Sequence, residues 1–233
     1  MSAPCTPAGP GSAELDRLTA DMVLVHRVFR RELGLLPDLV QAVLPGDLAR
    51  SALLAEHCRE LTTALRHHHT AEADLLWRRL RDRQALPSVV EEQLLTWHRQ
   101  HAELVGELDA LLPLWRREPQ PDLQAVISDI LSELAAAVNS HLDDVEEYLL
   151  PAVDQHFTAG EWRSLGLRAA RWIPLHRMAW MLGAMLEDAT AAERRNLLAK
   201  VPAPARVLYR MVGRDQYERE IAALRGRAVK SQG

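Results

Sequence analysis

Apolar residues recur along most of this chain at three- and four-residue spacing, the interval that gathers them on one face of an α-helix. Leu15, Leu18, Met22, Val25, Phe29, Leu33 and Leu36 form the first such stripe. With Ser12 as its cap, the stripe predicts a helix from about Ala13 to Val43, in which Pro37 should produce a kink or an early stop. Leu44-Pro45-Gly46-Asp47 reads as a turn, with Asp47 capping a second helix from Leu48 to Arg83. Pro87 and Ser88 open a third, running to Arg116. Pro119 and Pro121 punctuate again, and a fourth runs from Asp122 to Leu150, where Pro151 breaks or bends it. Strand patterns are almost absent. Four long helices with short joints are antiparallel neighbours, so the expected class is all-α, an up-down-up-down four-helix bundle.

The pattern changes after Pro151. Shorter helical stretches follow at Ala159 to Gly166, Ile173 to Leu186, Ala191 to Lys200, Ala205 to Val212 and Asp215 to Arg227, some of them parted by Pro174, Pro202 and Pro204. The chain therefore divides into a disordered, Pro- and Gly-rich lead-in (residues 1–11), a bundle (12–155) and a C-terminal helical appendage (156–233).

Composition narrows the function. The 233 residues are 48% hydrophobic, enough to bury a sizeable core. A net charge of -4, from 28 basic and 32 acidic residues, points to neither nucleic acid nor an anionic membrane as partner. Cys5 and Cys58 make neither a disulfide framework nor a thiolate metal site, and they suit a reducing cytoplasm. Met1 to Gly11 has no basic start or apolar stretch of a signal peptide, and no apolar run approaches the roughly 18 residues of a membrane span.

Candidate chemistry lies inside the helices. His26, His68 with Glu72, His98 and His101, and His141 with Glu146 fall on successive helices. Measured from the joints at about 1.5 Å per residue, their depths agree to within about a turn, so all four helices present imidazoles or carboxylates to one layer. His68 and Glu72 are four apart and share a face, whereas His141 and Glu146 are five apart and diverge by about 140°. A nitrogen/oxygen donor set without thiolates suggests iron before zinc or copper. His98 is a weaker ligand candidate than His101. His67 and His69 flank His68 and favour surface roles. His57 reads as a buried, hydrogen-bonded histidine, Tyr148 as core packing, and Trp77, Trp97 and Trp115 as bundle filling.

Two segments carry a resemblance: His68-His69-Thr70-Ala71-Glu72-Ala73-Asp74-Leu75-Leu76-Trp77 and His141-Leu142-Asp143-Asp144-Val145-Glu146-Glu147-Tyr148-Leu149-Leu150-Pro151. With His26 and His101, they resemble the hemerythrin-like (HHE cation-binding) family over about residues 14 to 155. The tail, with Glu161-Trp162 and Gly183 to Asp188, resembles the C-terminal extensions of actinobacterial members. The resemblance implies two non-haem iron ions bridged by two carboxylates and a solvent-derived oxo or hydroxo group. Carried over, Glu72 and Glu146 bridge, and His26, His68, His101 and His141 are terminal ligands. Two positions depart from the pattern: Trp97 stands where oxygen-carrying members have a further histidine, and Val145 where many relatives have a carboxylate.

The reading that follows is a di-iron protein that binds or reacts with O2, peroxide or nitric oxide as sensor, scavenger or carrier, with peroxide decomposition or oxidase-type activity as its enzymatic variant. Its ligand is a small diatomic molecule or peroxide; the appendage offers a surface for a homodimer or protein partner. The alternatives are a structural or interaction bundle locked by its metal and, more weakly, a zinc-dependent hydrolase. Against the latter, neither HExxH nor a cysteine-based zinc motif occurs.

Overall fold

The computed structural model describes residues 17–226; the expected lead-in at residues 1–11 lies outside them. Helix α1 spans Ala20–Gln41. Helix α2 spans Leu48–Ala71 and continues through a π-helical turn, Glu72–Trp77, into a last α-helical turn, Arg78–Asp82. Helix α3 spans Ser88–Arg117. Helix α4 spans Pro121–Asp144 and continues through a second π-helical turn, Val145–Leu149, into Leu150–His156. The appendage comprises α5 (Ala159–Ala170), α6 (Leu175–Glu187), α7 (Ala191–Lys200), α8 (Ala203–Leu208, with a π-helical extension Tyr209–Gly213) and α9 (Arg214–Arg225).

The four long helices pack as a ring, α1 on α2, α2 on α3, α3 on α4 and α4 on α1, and no strand occurs among the described residues. Two prolines are accommodated within long helices. Pro37 does not stop α1, which reaches Gln41. Pro151 does not end α4, which runs on to His156. Just ahead of Pro151, the Leu150 N–H donates to the Val145 carbonyl five residues back. That wide turn starts a new helical segment, and Pro151 occupies its first turn, where a missing N–H is tolerated. Helix α1 begins at Ala20, later than the stripe suggests, where the Thr19 N–H donates to Asp154 Oδ1 at 3.1 Å. That bond pins the start of α1 to the end of α4. Asp47 caps α2 as expected, accepting from the Arg50 N–H at 2.9 Å. Asp47→Ala is expected to cost about 1 kcal/mol in denaturant unfolding, with no change in the slope.

The apolar interior forms two clusters with a polar layer between them. The larger holds Phe29, Leu33, Leu36, Leu54, Leu65, Leu104, Leu108, Trp115, Leu131 and Val138. The smaller holds Leu76, Trp77, Leu80, Leu94, Val145, Leu149 and Val153, capped by Phe157 and by Trp162 and Leu165 of α5. His68, His69 and Glu72 on α2 and His98 and His101 on α3 fall between them in sequence, and His26 on α1 and His141 on α4 lie at the edge of the larger cluster next to the smaller. His26, His68, Glu72, His98 and His141, at least one from each of the four helices, meet in this layer.

The appendage is not a loose attachment. Trp180, Ala184, Tyr217, Ile221 and Leu224 join the larger cluster. Gly183 permits the close approach of α9 to α6: a Cβ there would lie 2.4 Å from Tyr217 Cγ. Beneath this contact the Glu32 carboxylate, almost wholly buried on α1, accepts hydrogen bonds from Arg31 and Arg225, each at 2.9 Å, and faces His57 Nε2 at 3.5 Å. His57 is thus the buried, paired histidine expected, with Trp180 against its ring.

Candidate metal site

Glu72 is the centre of the polar layer. It is 3% exposed and lies between two sets of imidazoles. On one side, the ligand atoms of His26, His68 and Glu72 all lie within 4.8 Å of one another; on the other, those of His69, Glu72, His98 and His141 do so. One carboxylate thus belongs to both groups. Glu72 Oε1 is 3.4 Å from His68 Nε2, while Oε2 is 3.2 Å from both His98 Nε2 and His141 Nε2.

Helix geometry explains this convergence. His68 and His69 are consecutive, about 100° apart, and Glu72 follows one turn later between their directions. The π-helical turn begins at Glu72 itself, and the other begins at Val145, one residue before Glu146. Such wide turns insert an extra residue and re-aim the side chains around them, and they concentrate at functional sites.

Glu146 and His101 stand at the rim. Glu146 belongs to neither compact group: its Oε1 accepts from Arg30 at 2.6 Å and is 2.8 Å from His26 Nδ1. Arg30 also donates to Asp143 at 2.6 Å. His101 is 1% exposed, its ring 4.9 Å from that of His69 and 5.4 Å from that of His141.

The electrostatics suit a bound cation. Burial alone would push the Glu72 carboxyl up, but His68 and His141 beside it hold it well below the usual carboxylate range. Burial likewise opposes ionisation of Glu146, and its hydrogen bonds with His26 and Arg30 prevail and lower it. Burial lowers His26, His69 and His98, and with the nearby His141 it brings His101 down to about 4. These imidazoles are therefore neutral at pH 7, the state in which their lone pairs can ligate.

The donor set fits a metal on a further count. His26 Nε2, His68 Nε2, His69 Nε2, Glu72 Oε1, both ring nitrogens of His101 and His141 Nδ1 are buried without a hydrogen-bond partner. At about 1–3 kcal/mol for each unsatisfied group, the penalty is on the order of 10 kcal/mol, as large as the net stability of a typical fold. Cations in the layer would satisfy these lone pairs.

A family model described as the hemerythrin HHE cation binding domain matches residues 17–153. The chain belongs to the hemerythrin HHE family. The match covers the ring of four helices except the last three residues of α4, and stops before the appendage. No curated protein and no solved structure matches the chain. As an HHE domain it binds metal cations, and among the described residues the His/Glu layer has two groups that could hold them. No described helix is long and apolar enough to cross a membrane.

Several neighbours of the HHE layer escape a reading of the sequence. His69, expected at the surface, is 9% exposed and faces the layer, because the inward arc of α2 is wide enough to include two consecutive positions. Tyr148, expected in the core, is 49% exposed; it lies within the second π-helical turn, where α-helical spacing no longer applies. Trp97 is half-buried and donates from Nε1 to Asp144 Oδ2 at 2.7 Å, while Trp77 lies against the His98 ring at 4.6 Å. Trp115 fills the larger cluster, away from the layer. Arg30 could have been noticed: it lies one turn after His26 and hence on the same face.

Proposed function

We propose that this HHE domain is a non-haem di-iron protein that binds or reacts with O2, peroxide or nitric oxide. The observation that carries the reading is the membership of one buried carboxylate, Glu72, in two imidazole groups, the arrangement needed to bridge two ions. His26 and His68 would serve the first ion, and His141 and His101 the second. Glu146, now held by His26 and Arg30, is the second bridging candidate. Both groups offer only nitrogen and oxygen donors among the described residues, which favours iron over softer metals.

Two adjacent irons would supply exchangeable positions and electrons for small oxidants. The chain's own residues do the rest. Trp77 and the apolar clusters on either side of the layer exclude water. Arg30, half-exposed above Glu146, holds that carboxylate at the open side of the layer. His68 and His141 beside the buried Glu72 hold its carboxyl well below the usual range, in the ionised form that ligates a cation.

Reconstitution of the full chain with ferrous iron, followed by exposure to air, tests the reading. The expected result is about two irons per chain and near-ultraviolet absorption from a bridged ferric pair, changing on addition of hydrogen peroxide or nitric oxide. A colourless protein that retains only zinc, or iron that ignores all three ligands, would contradict it.

A further inference from the structure

Trp97 stands one turn before His101 on α3, and an indole has no lone pair to offer. Its Nε1–H is committed to Asp144. We propose that His69 of α2 is a ligand, binding the second ion beside Glu72 and His141, with His98 behind it as a positioning residue. The assignment rests on the metal reading above.

The geometry distinguishes the two neighbouring histidines. His68 turns towards α1, its ring 5.5 Å from that of His26, whereas His69 turns towards α3 and α4, its ring 4.9 Å from His101 and 5.2 Å from His141. The pair therefore straddles Glu72, one imidazole for each side. His69 is nine-tenths buried and its Nε2 has no hydrogen-bond partner. A buried, unpaired nitrogen within 4.8 Å of a carboxylate oxygen and another imidazole nitrogen is a ligand position.

His98 lies within the same radius but is otherwise engaged. Its ring is stacked on that of His69 at 4.1 Å and 24°, with Trp77 on its other face. Neither of its ring nitrogens is buried without a partner, unlike His69 Nε2, and its side chain is 13% exposed. His98 Nε2 is 3.2 Å from Glu72 Oε2, which suits a group that orients the carboxylate and, by stacking, the His69 ring.

The full chain and the variants His69→Gln, His98→Gln and His67→Gln would be loaded anaerobically with ferrous iron, desalted and assayed for metal, with helicity checked by circular dichroism. His67 is the control, half-buried beside Trp172 outside both groups. The expected contents are two ions for wild type and His67→Gln, one for His69→Gln, and two for His98→Gln with affinity lowered roughly 10-fold or more. A fourth variant, His69→Cys loaded with cobalt(II), reads ligation directly and is expected to gain a thiolate-to-cobalt charge-transfer band missing from wild type. Two ions at wild-type affinity in His69→Gln, no new band in His69→Cys, or loss of an ion in His98→Gln alone would overturn the assignment. Wild-type protein that binds no metal would overturn the underlying reading and this one with it, an outcome distinct from all of these.

Discussion

Glu72→Gln is expected to remove both metal ions. Glutamine keeps the volume, so the apolar clusters above and below the layer stay packed, but it replaces an anion by a neutral amide at the one carboxylate both imidazole groups share. Residues that merely support metal ligands already cost 10–100-fold in affinity when replaced, so loss of a shared ligand should exceed roughly 100-fold. Metal analysis should fall from about two ions per chain to nearly none. Stability gives a second readout. Free metal at 100 times its dissociation constant stabilises a folded protein by about 2.7 kcal/mol, which for a chain of this size raises Tm by roughly 5–10 °C. Wild type should show that rise on metal addition and Glu72→Gln should not. Glu147→Gln, at an exposed position one residue past Glu146, should behave as wild type. One ion retained in Glu72→Gln would mean that the carboxylate serves a single site.

The second large effect concerns the seam between bundle and appendage. Burial opposes ionisation of Glu32, yet its hydrogen bond with His57 and the charge of Arg31 outweigh this and bring its pKa down to about 2. The pKa is depressed in the folded state, so the contribution is complete above the ordinary carboxylate range, near pH 4.5. It is lost as pH falls through about 2. The difference corresponds to roughly 3 kcal/mol. Glu32→Gln should therefore lower Tm by roughly 6–12 °C at pH 7 and flatten the fall in stability between pH 4.5 and 2. The same change leaves Glu187 and Asp188 as the carboxylate partners of Arg31 and Arg225 among the described residues. Emission from Trp180, which packs on His57 and Tyr217, should report loosening of α6 before the bundle melts. A thermal and acid transition unchanged from wild type would show that the seam contributes no stability.

The long helices were legible because their apolar stripes are periodic and their ends carry turn chemistry at Asp47 and Pro87. The polar layer was legible because depth in an antiparallel bundle can be counted from the joints. His26, His68, Glu72 and His141 meet where counting put them. What was not legible depends on where the helices depart from 3.6 residues per turn. The π-helical turns at Glu72–Trp77 and Val145–Leu149 arise from a choice of backbone carbonyl, which leaves no side-chain signature. They explain why Tyr148 faces outward and why Pro151 does not end α4. His69 was misplaced for another reason: one inward face per turn is too narrow an assumption for a helix packed against two neighbours.

Two cations sharing Glu72 would be visible in an anomalous difference map from crystals of the iron-loaded full chain. The expected map has two iron peaks within about 4 Å of each other, one on the His26 and His68 side of Glu72 and one on the His141 side. A single peak, or iron bound only outside the layer, would contradict it.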